Sequence, residues 1–132
     1  MTLKIVGEPA AQGSKTAYNR GGRCVLVESS KKLKPWRQQI ATQAATHYEQ
    51  PLDGALSLAA VFIMPRTKAM RDKPAPPMVQ KPDLDKLLRA LNDGLTGVAF
   101  HDDSQVVKIA ATKRRAEPGE ETGVEVNITR IE

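Results

Sequence analysis

The stretch from Pro82 to Leu95 leaves the chain little freedom. Leu84, Leu87, Leu88, Leu91 and Leu95 recur at i, i+3, i+4, i+7 and i+11, a spacing that lays one apolar stripe along an α-helix. At about 100° per residue, Asp85, Lys86, Arg89, Asn92 and Asp93 gather on the opposite side. Such a helix needs an apolar layer to pack on, and the flanking sequence offers strands. Thr2–Val6 alternates and is β-branched, Cys24–Val27 reads as a short strand, and the apolar run Ala55–Met64 ends at Pro65. Gln105–Lys113 alternates, and Gly123–Ile131 carries Val124, Val126, Ile128 and Arg130 on one side. A second helix is expected from an N-cap at Ser29 or Ser30 to about Tyr48, with Leu33, Trp36, Ile40, Ala44 and His47 at helical spacing. Pro35 is tolerated there only within the first turn.

Two stretches have no period. Residues 7–22 are rich in Gly, Ala, Ser and Asn, and residues 66–80 hold Pro74, Pro76 and Pro77 among basic side chains. Both read as mobile basic loops. Gly94 and Gly97 read as brackets around the end of the leucine helix. The order is β-β-α-β-α-β-β: one small α+β domain spanning 1–132, with a mixed or antiparallel sheet and two main helices.

Composition removes several function classes. One cysteine, Cys24, excludes an internal disulfide and a cysteine-rich zinc site, and His47 and His101 stand too far apart for a zinc finger. No apolar run approaches the ~20 residues of a membrane span, and the first residues lack the long apolar core of a secretory signal. The expectation is a cytoplasmic protein with no membrane partner. Aromatic residues are only 4%, too few for a single-strand stacking platform. Charge is informative once divided: residues 1–115 carry +9 and residues 116–132 carry −4, within a total of +5. A basic body points to a polyanionic partner.

Carboxylates interrupt that basic body in two places. Asp83 and Asp85 open the leucine helix, Asp93 lies near its end, and His101-Asp102-Asp103 precedes the next strand. Hard cations such as Mg²⁺ are held by carboxylate oxygens and water, with substrate phosphates as further ligands. An Asp at a helix start is equally a cap or a partner for the helix dipole, and Asp-Asp-Ser is ordinary turn chemistry; spacing alone leaves both readings open. His101 reads as a turn residue. No P-loop, EF-hand loop, Ser/His/Asp set or Cys/His set is present.

The segment Lys81–Val107, with Pro82-Asp83-Leu84-Asp85, Asp93-Gly94 and Asp102-Asp103-Ser104-Gln105-Val106-Val107, resembles the signature of the RusA-type Holliday-junction resolvases. A weaker likeness runs from Gly7-Glu8-Pro9 to Gln12-Gly13-Ser14-Lys15. The resemblance implies a small homodimeric, Mg²⁺-dependent endonuclease, with Mn²⁺ as a substitute and no small-molecule cofactor. Its members act on four-way or branched DNA in recombination and repair, by paired symmetric nicks, and are often encoded by phages or prophages of bacterial hosts. It places the family's catalytic aspartates on Asp83, Asp85 and Asp103, with Asp102 beside the last in the metal site, and a supporting helix aspartate on Asp93. The family's functional lysine falls on Arg89, and its asparagine after the second aspartate on Lys86. An Arg brings a planar fork where a Lys brings a point charge, so either Arg89 keeps the role as a phosphate clamp or Lys86 supplies the lysine. Basic surroundings for DNA are offered by Lys15, Arg20 and Arg23, by Arg66, Lys68, Arg71, Lys73, Lys81 and Lys86, and by Lys113-Arg114-Arg115. Two alternatives compete. One is a branched-DNA binder of the same fold that does not cut. The other is a basic packaging protein, which has no use for aspartates on its DNA face.

Overall fold

The computed structural model describes residues 2–12, 15–20, 23–28 and 31–131, with 15–20 and 23–28 given by their backbone. In chain order the elements are β1 (Thr2–Val6), β2 (Lys15–Arg20), β3 (Arg23–Glu28), α1 (Leu33–Ala45), β4 (Leu56–Met64), α2 (Leu84–Leu95), β5 (Val106–Arg115) and β6 (Gly123–Arg130). Single 3₁₀ turns lie at Lys68–Met70 and Asp103–Gln105. Four strands form a mixed sheet in the order β1-β6-β4-β5, while β2 and β3 pair separately as an antiparallel hairpin. The fold is α+β, as expected.

The sheet's organisation follows from its register. β6 runs antiparallel to both β1 and β4, and β4 and β5 run parallel. A parallel pair cannot be closed by a hairpin; it needs a crossover. Here residues 65–105 supply it, carrying the basic stretch, α2 and the acidic turn together. The inward face of the sheet presents Leu3, Ile5, Leu56, Leu58, Ala60, Phe62, Met64, Val124 and Val126, all buried in one core with Trp36 and Ile40 of α1 and Leu87, Leu91 and Leu95 of α2. The opposite face leaves Ala59, Lys108, Ala110 and Thr112 exposed. β5 is an edge strand, with Val107 and Ile109 open to solvent.

Helix α2 buries the predicted leucines, Leu84 and Leu88 only in part. Gly94 differs from its expected role. It lies inside α2, and a Cβ there would meet the Ile40 side chain at 2.8–2.9 Å. Its lack of a side chain lets α1 and α2 approach; the turn glycine is Gly97, at φ +85°. The described part of α1 starts at Leu33 after Lys32, which makes no side-chain cap, and ends at Ala45 rather than near Tyr48, with His47 exposed beyond it. The expected caps Ser29 and Ser30 lie outside the described residues. The stretch 7–22, read as loop, contains β2.

Candidate active site

The crossover sets two groups of carboxylates at opposite ends of α2. Asp83 caps the helix start by its backbone position, without a side-chain cap bond, and Asp85 is in the first turn. Asp93 is ten residues beyond Asp83, roughly 15 Å along the axis at the usual helical rise. α2 runs antiparallel to β5. The Lys113 ammonium, near the end of β5, bonds the Pro82 carbonyl at 2.9 Å, while Asp103, just before β5, feels the charge of Asp93. Asp83 therefore sits at the carboxyl ends of the parallel strands, and Asp102-Asp103 at the amino end of β5. Among the described residues no three Asp, Glu, His or Cys side chains stand close enough to share a metal ion. The structure brings Asp93, Asp102 and Asp103 into one electrostatic group and leaves Asp83 and Asp85 outside it.

The acidic turn is tightly built. Asp102 accepts from the Ser104 N–H at 2.8 Å, and the Gln105 side chain returns to the backbone, completing a capping box. The Gln105 Oε1 accepts from the His101 and Asp102 N–H groups at 2.8 and 3.0 Å. Its Nε2 donates to the Leu52 and Gly54 carbonyls at 2.9 and 3.0 Å. One amide thus ties the acidic turn to the turn that leads into β4. His101 stands 2.8 Å from Asp53 Oδ1, a turn contact. The Ser104 hydrogen bonds, backbone first, hold the Asp102 carboxyl below the usual carboxylate range. The hydrogen bond to Asp102 pushes Asp103 up, helped by some burial and by the negative charges of Asp102 and Asp93. Two adjacent carboxylates resist carrying full charge together, a repulsion that a bound cation would relieve.

At the other end, Asp83 borders a cavity of about 610 Å³. Pro9, Ala10, Met64, Pro65 and Met78 line it together with Lys32, Lys81, Lys86 and Arg115. Crevices at the carboxyl ends of parallel strands are where open α/β sheets take ligands. Lys86 lies 3.8 Å from Asp83, and Glu8 and Lys32 pair at 2.8 Å across the lining. Arg89 is exposed between the two acidic ends and forms no ion pair among the described residues; Asp93 pairs instead with Arg37 of α1 at 3.9 Å.

Several basic residues that read as DNA contacts hold backbone instead. Arg66 donates to the Ala116 carbonyl at 2.8 Å, to Arg71 O at 2.9 Å, and to Lys73 O. Arg115 donates to Pro65 O at 2.7 Å, and Lys113 to Gln80 O and Pro82 O at 2.7 and 2.9 Å. Arg114 pairs with Glu120 at 2.7 and 2.8 Å. The 66–80 stretch is thus tied at both ends, with Lys68, Arg71 and Lys73 exposed on its tip and Lys81 exposed at its exit. Lys15 and Arg20 belong to β2 and Arg23 to β3, as described by backbone.

The profile of the endodeoxyribonuclease RusA family matches residues 7–129. The chain belongs to the RusA family. It is also 29% identical over 137 aligned positions, covering 96% of this chain and 94% of its counterpart, to YqaN of Bacillus subtilis (strain 168), an uncharacterized protein. RusA proteins are Holliday-junction-resolving nucleases that generally depend on a divalent metal, so this chain is a nuclease by family. The RusA signature acquires physical content here. Asp83, just before the leucine helix, stands at the cleft, and the Asp-Asp-x-Gln run is a capped turn fastened by its glutamine. Gln105 is a site residue that composition and charge missed; the signal available was its place three residues after Asp102, as in a capping box. Among the described residues no helix is long and apolar enough to cross a membrane.

Proposed function

We propose that this protein resolves four-way DNA junctions by paired, symmetric, metal-dependent nicks, acting as a homodimer in recombination and repair. The observation that carries the reading is the exposed, adjacent pair Asp102–Asp103, close enough to Asp93 to feel its charge, on an otherwise basic body. Anionic oxygens on a DNA-facing surface repel phosphate unless a cation intervenes. The donor set fits Mg²⁺, and Mn²⁺ as a substitute: hard carboxylate oxygens, few in number, with phosphate able to complete the shell. Asp102 and Asp103 would hold the metal, with Asp83 and Asp85 facing the same substrate from the other end of α2. A bound divalent ion supplies an activated water and screens the leaving oxygen.

The chain's own residues do the rest. Lys68, Arg71, Lys73 and Lys81 lie on exposed loop surface and engage phosphates, joined by Lys15, Arg20 and Arg23 of the hairpin; such contacts position DNA without reading sequence. Arg89, between the acidic ends, orients the phosphate by its planar fork. Two opposed cuts on a two-fold junction call for two copies of one site, and an isologous pair supplies them. A bacterial cytoplasm, and a phage or prophage source, follow from the family's usual setting.

A second reading, a branched-DNA binder that does not cut, is favoured by one feature: the carboxylates are not gathered into a three-ligand group in the described residues. Incubation with a synthetic mobile four-way junction, with and without Mg²⁺, separates the two. Paired nicks that require the metal support the nuclease. Salt-sensitive junction binding without nicks under any divalent ion supports the binder.

A further inference from the structure

Three cations at the end of β5 look like a DNA contact in sequence, yet one of them is committed to the start of α2. Lys113 Nζ donates to Gln80 O at 2.7 Å and to Pro82 O at 2.9 Å, across 33 and 31 residues of chain. Its own strand is rigidly registered: Lys113 lies opposite Phe62, a fully buried residue of β4. Pro82 immediately precedes Asp83, and the Leu87 N–H donates to Asp83 O at 3.1 Å to begin the helix. The helix start has no side-chain cap of its own. The Lys113 ammonium, bonded to the Gln80 and Pro82 carbonyls, therefore ties the segment that enters α2 to the end of β5.

We propose that Lys113 is a positioning residue for Asp83, orienting that carboxylate at the cleft mouth through the Gln80 and Pro82 carbonyls rather than by touching DNA. The inference rests on the nuclease reading for its catalytic consequence but not for its structural one. A charged donor suits the role: hydrogen bonds from an ammonium are shorter and about twice as strong as neutral ones, and a strand is a stiffer mount than a loop.

The test compares wild type, Lys113→Met and Lys113→Arg on a four-way junction. Three quantities are measured: the single-turnover cleavage rate at saturating protein, the slope of log affinity against log salt, and amide exchange across residues 83–87. Positioning predicts that Lys113→Met loses about 10²-fold in saturated rate, the cost typical of a ~1 Å misplacement. It predicts an unchanged salt slope and faster exchange at 83–87. Lys113→Arg, which keeps the cation, recovers most of the rate. A phosphate contact gives the opposite pattern, a slope shallower by about 0.9 with exchange unchanged, and overturns the proposal. Should Lys113→Met not fold, Lys113→Gln, a neutral donor, decides on the same three readouts. A wild-type protein that fails to cut refutes the nuclease reading alone. Exchange at 83–87 then decides the clamp by itself: faster in the variant supports it, unchanged overturns it.

Discussion

Replacing Gln105 by Leu removes an amide whose four hydrogen-bonding positions are all used: two N–H groups accepted and two carbonyls donated to, at 2.8–3.0 Å. Leu has nearly the same volume, so the loss is one of bonds rather than packing. Three of the four bonds are exposed, and water replaces them at a net cost of ~0.5 kcal/mol each, while the part-buried bond to Leu52 O costs ~1 kcal/mol. The sum is about 2.5 kcal/mol. For 132 residues, with an unfolding entropy of ~2.1 cal/mol/K per residue, this lowers Tm by roughly 9 °C. The acidic turn loosens as well, since His101 and Asp102 lose the acceptor that ties them to the turn before β4. Junction cleavage is expected to fall ~10²-fold, as misplacement of a catalytic group does. Thermal melting and single-turnover nicking at a temperature well below both melting points measure the two effects. A Tm within ~2 °C of wild type together with normal cleavage refutes the fastening role.

Arg89→Ala is expected to cut about 10²-fold more slowly with little change in Tm, because the side chain is exposed and outside any ion pair among the described residues, while Arg89→Lys keeps activity; nicking assays and melting curves read both. Gly94→Ala drives a methyl to 2.8 Å from Ile40, and the resulting 1–3 kcal/mol strain, at most ~1 of it offset by helix propensity, lowers stability in denaturant titrations. Glu120, bonded to Arg114 and to the Glu117 N–H, is held at about 2 against an ordinary 4.5. A depressed carboxyl stabilises above its unfolded value and loses that stabilisation as pH falls towards 2. Glu120→Gln should therefore cost about 1–2 kcal/mol at pH 7, discounted for partial exposure, with the gap to wild type closing between pH 4.5 and 2 in melting curves.

Where side chains obey a burial period, the sequence could be read. α2 was legible from five leucines, β1 from its alternation and β4 from an apolar run stopped by Pro65, because each has one face in the core. β2 was not: Lys15–Arg20 pairs with β3 in a separate two-stranded sheet, and its residues show no apolar–polar alternation. Gly94 read as a terminator because a sequence does not show that Ile40 lies against it. Lys113, Arg115 and Arg66 read as DNA contacts because their actual partners are backbone carbonyls, which every residue carries and no sequence distinguishes. The aspartates were legible as a set, from their place on one helix and one turn. Their division was not, since it follows from the length of α2 and its antiparallel passage along β5.

In the proposed function, exposed aspartates on a basic body serve a metal that cuts branched DNA. The most direct measurement places Asp103→Asn beside wild type on one labelled four-way junction, with nicking in Mg²⁺ and band shift without it run in parallel. Paired nicks are expected from wild type and none from Asp103→Asn, with junction binding by the variant equal or tighter, since removing a negative charge eases phosphate approach. Full cleavage by Asp103→Asn, or wild-type cleavage that persists after the divalent ion is chelated, would contradict it.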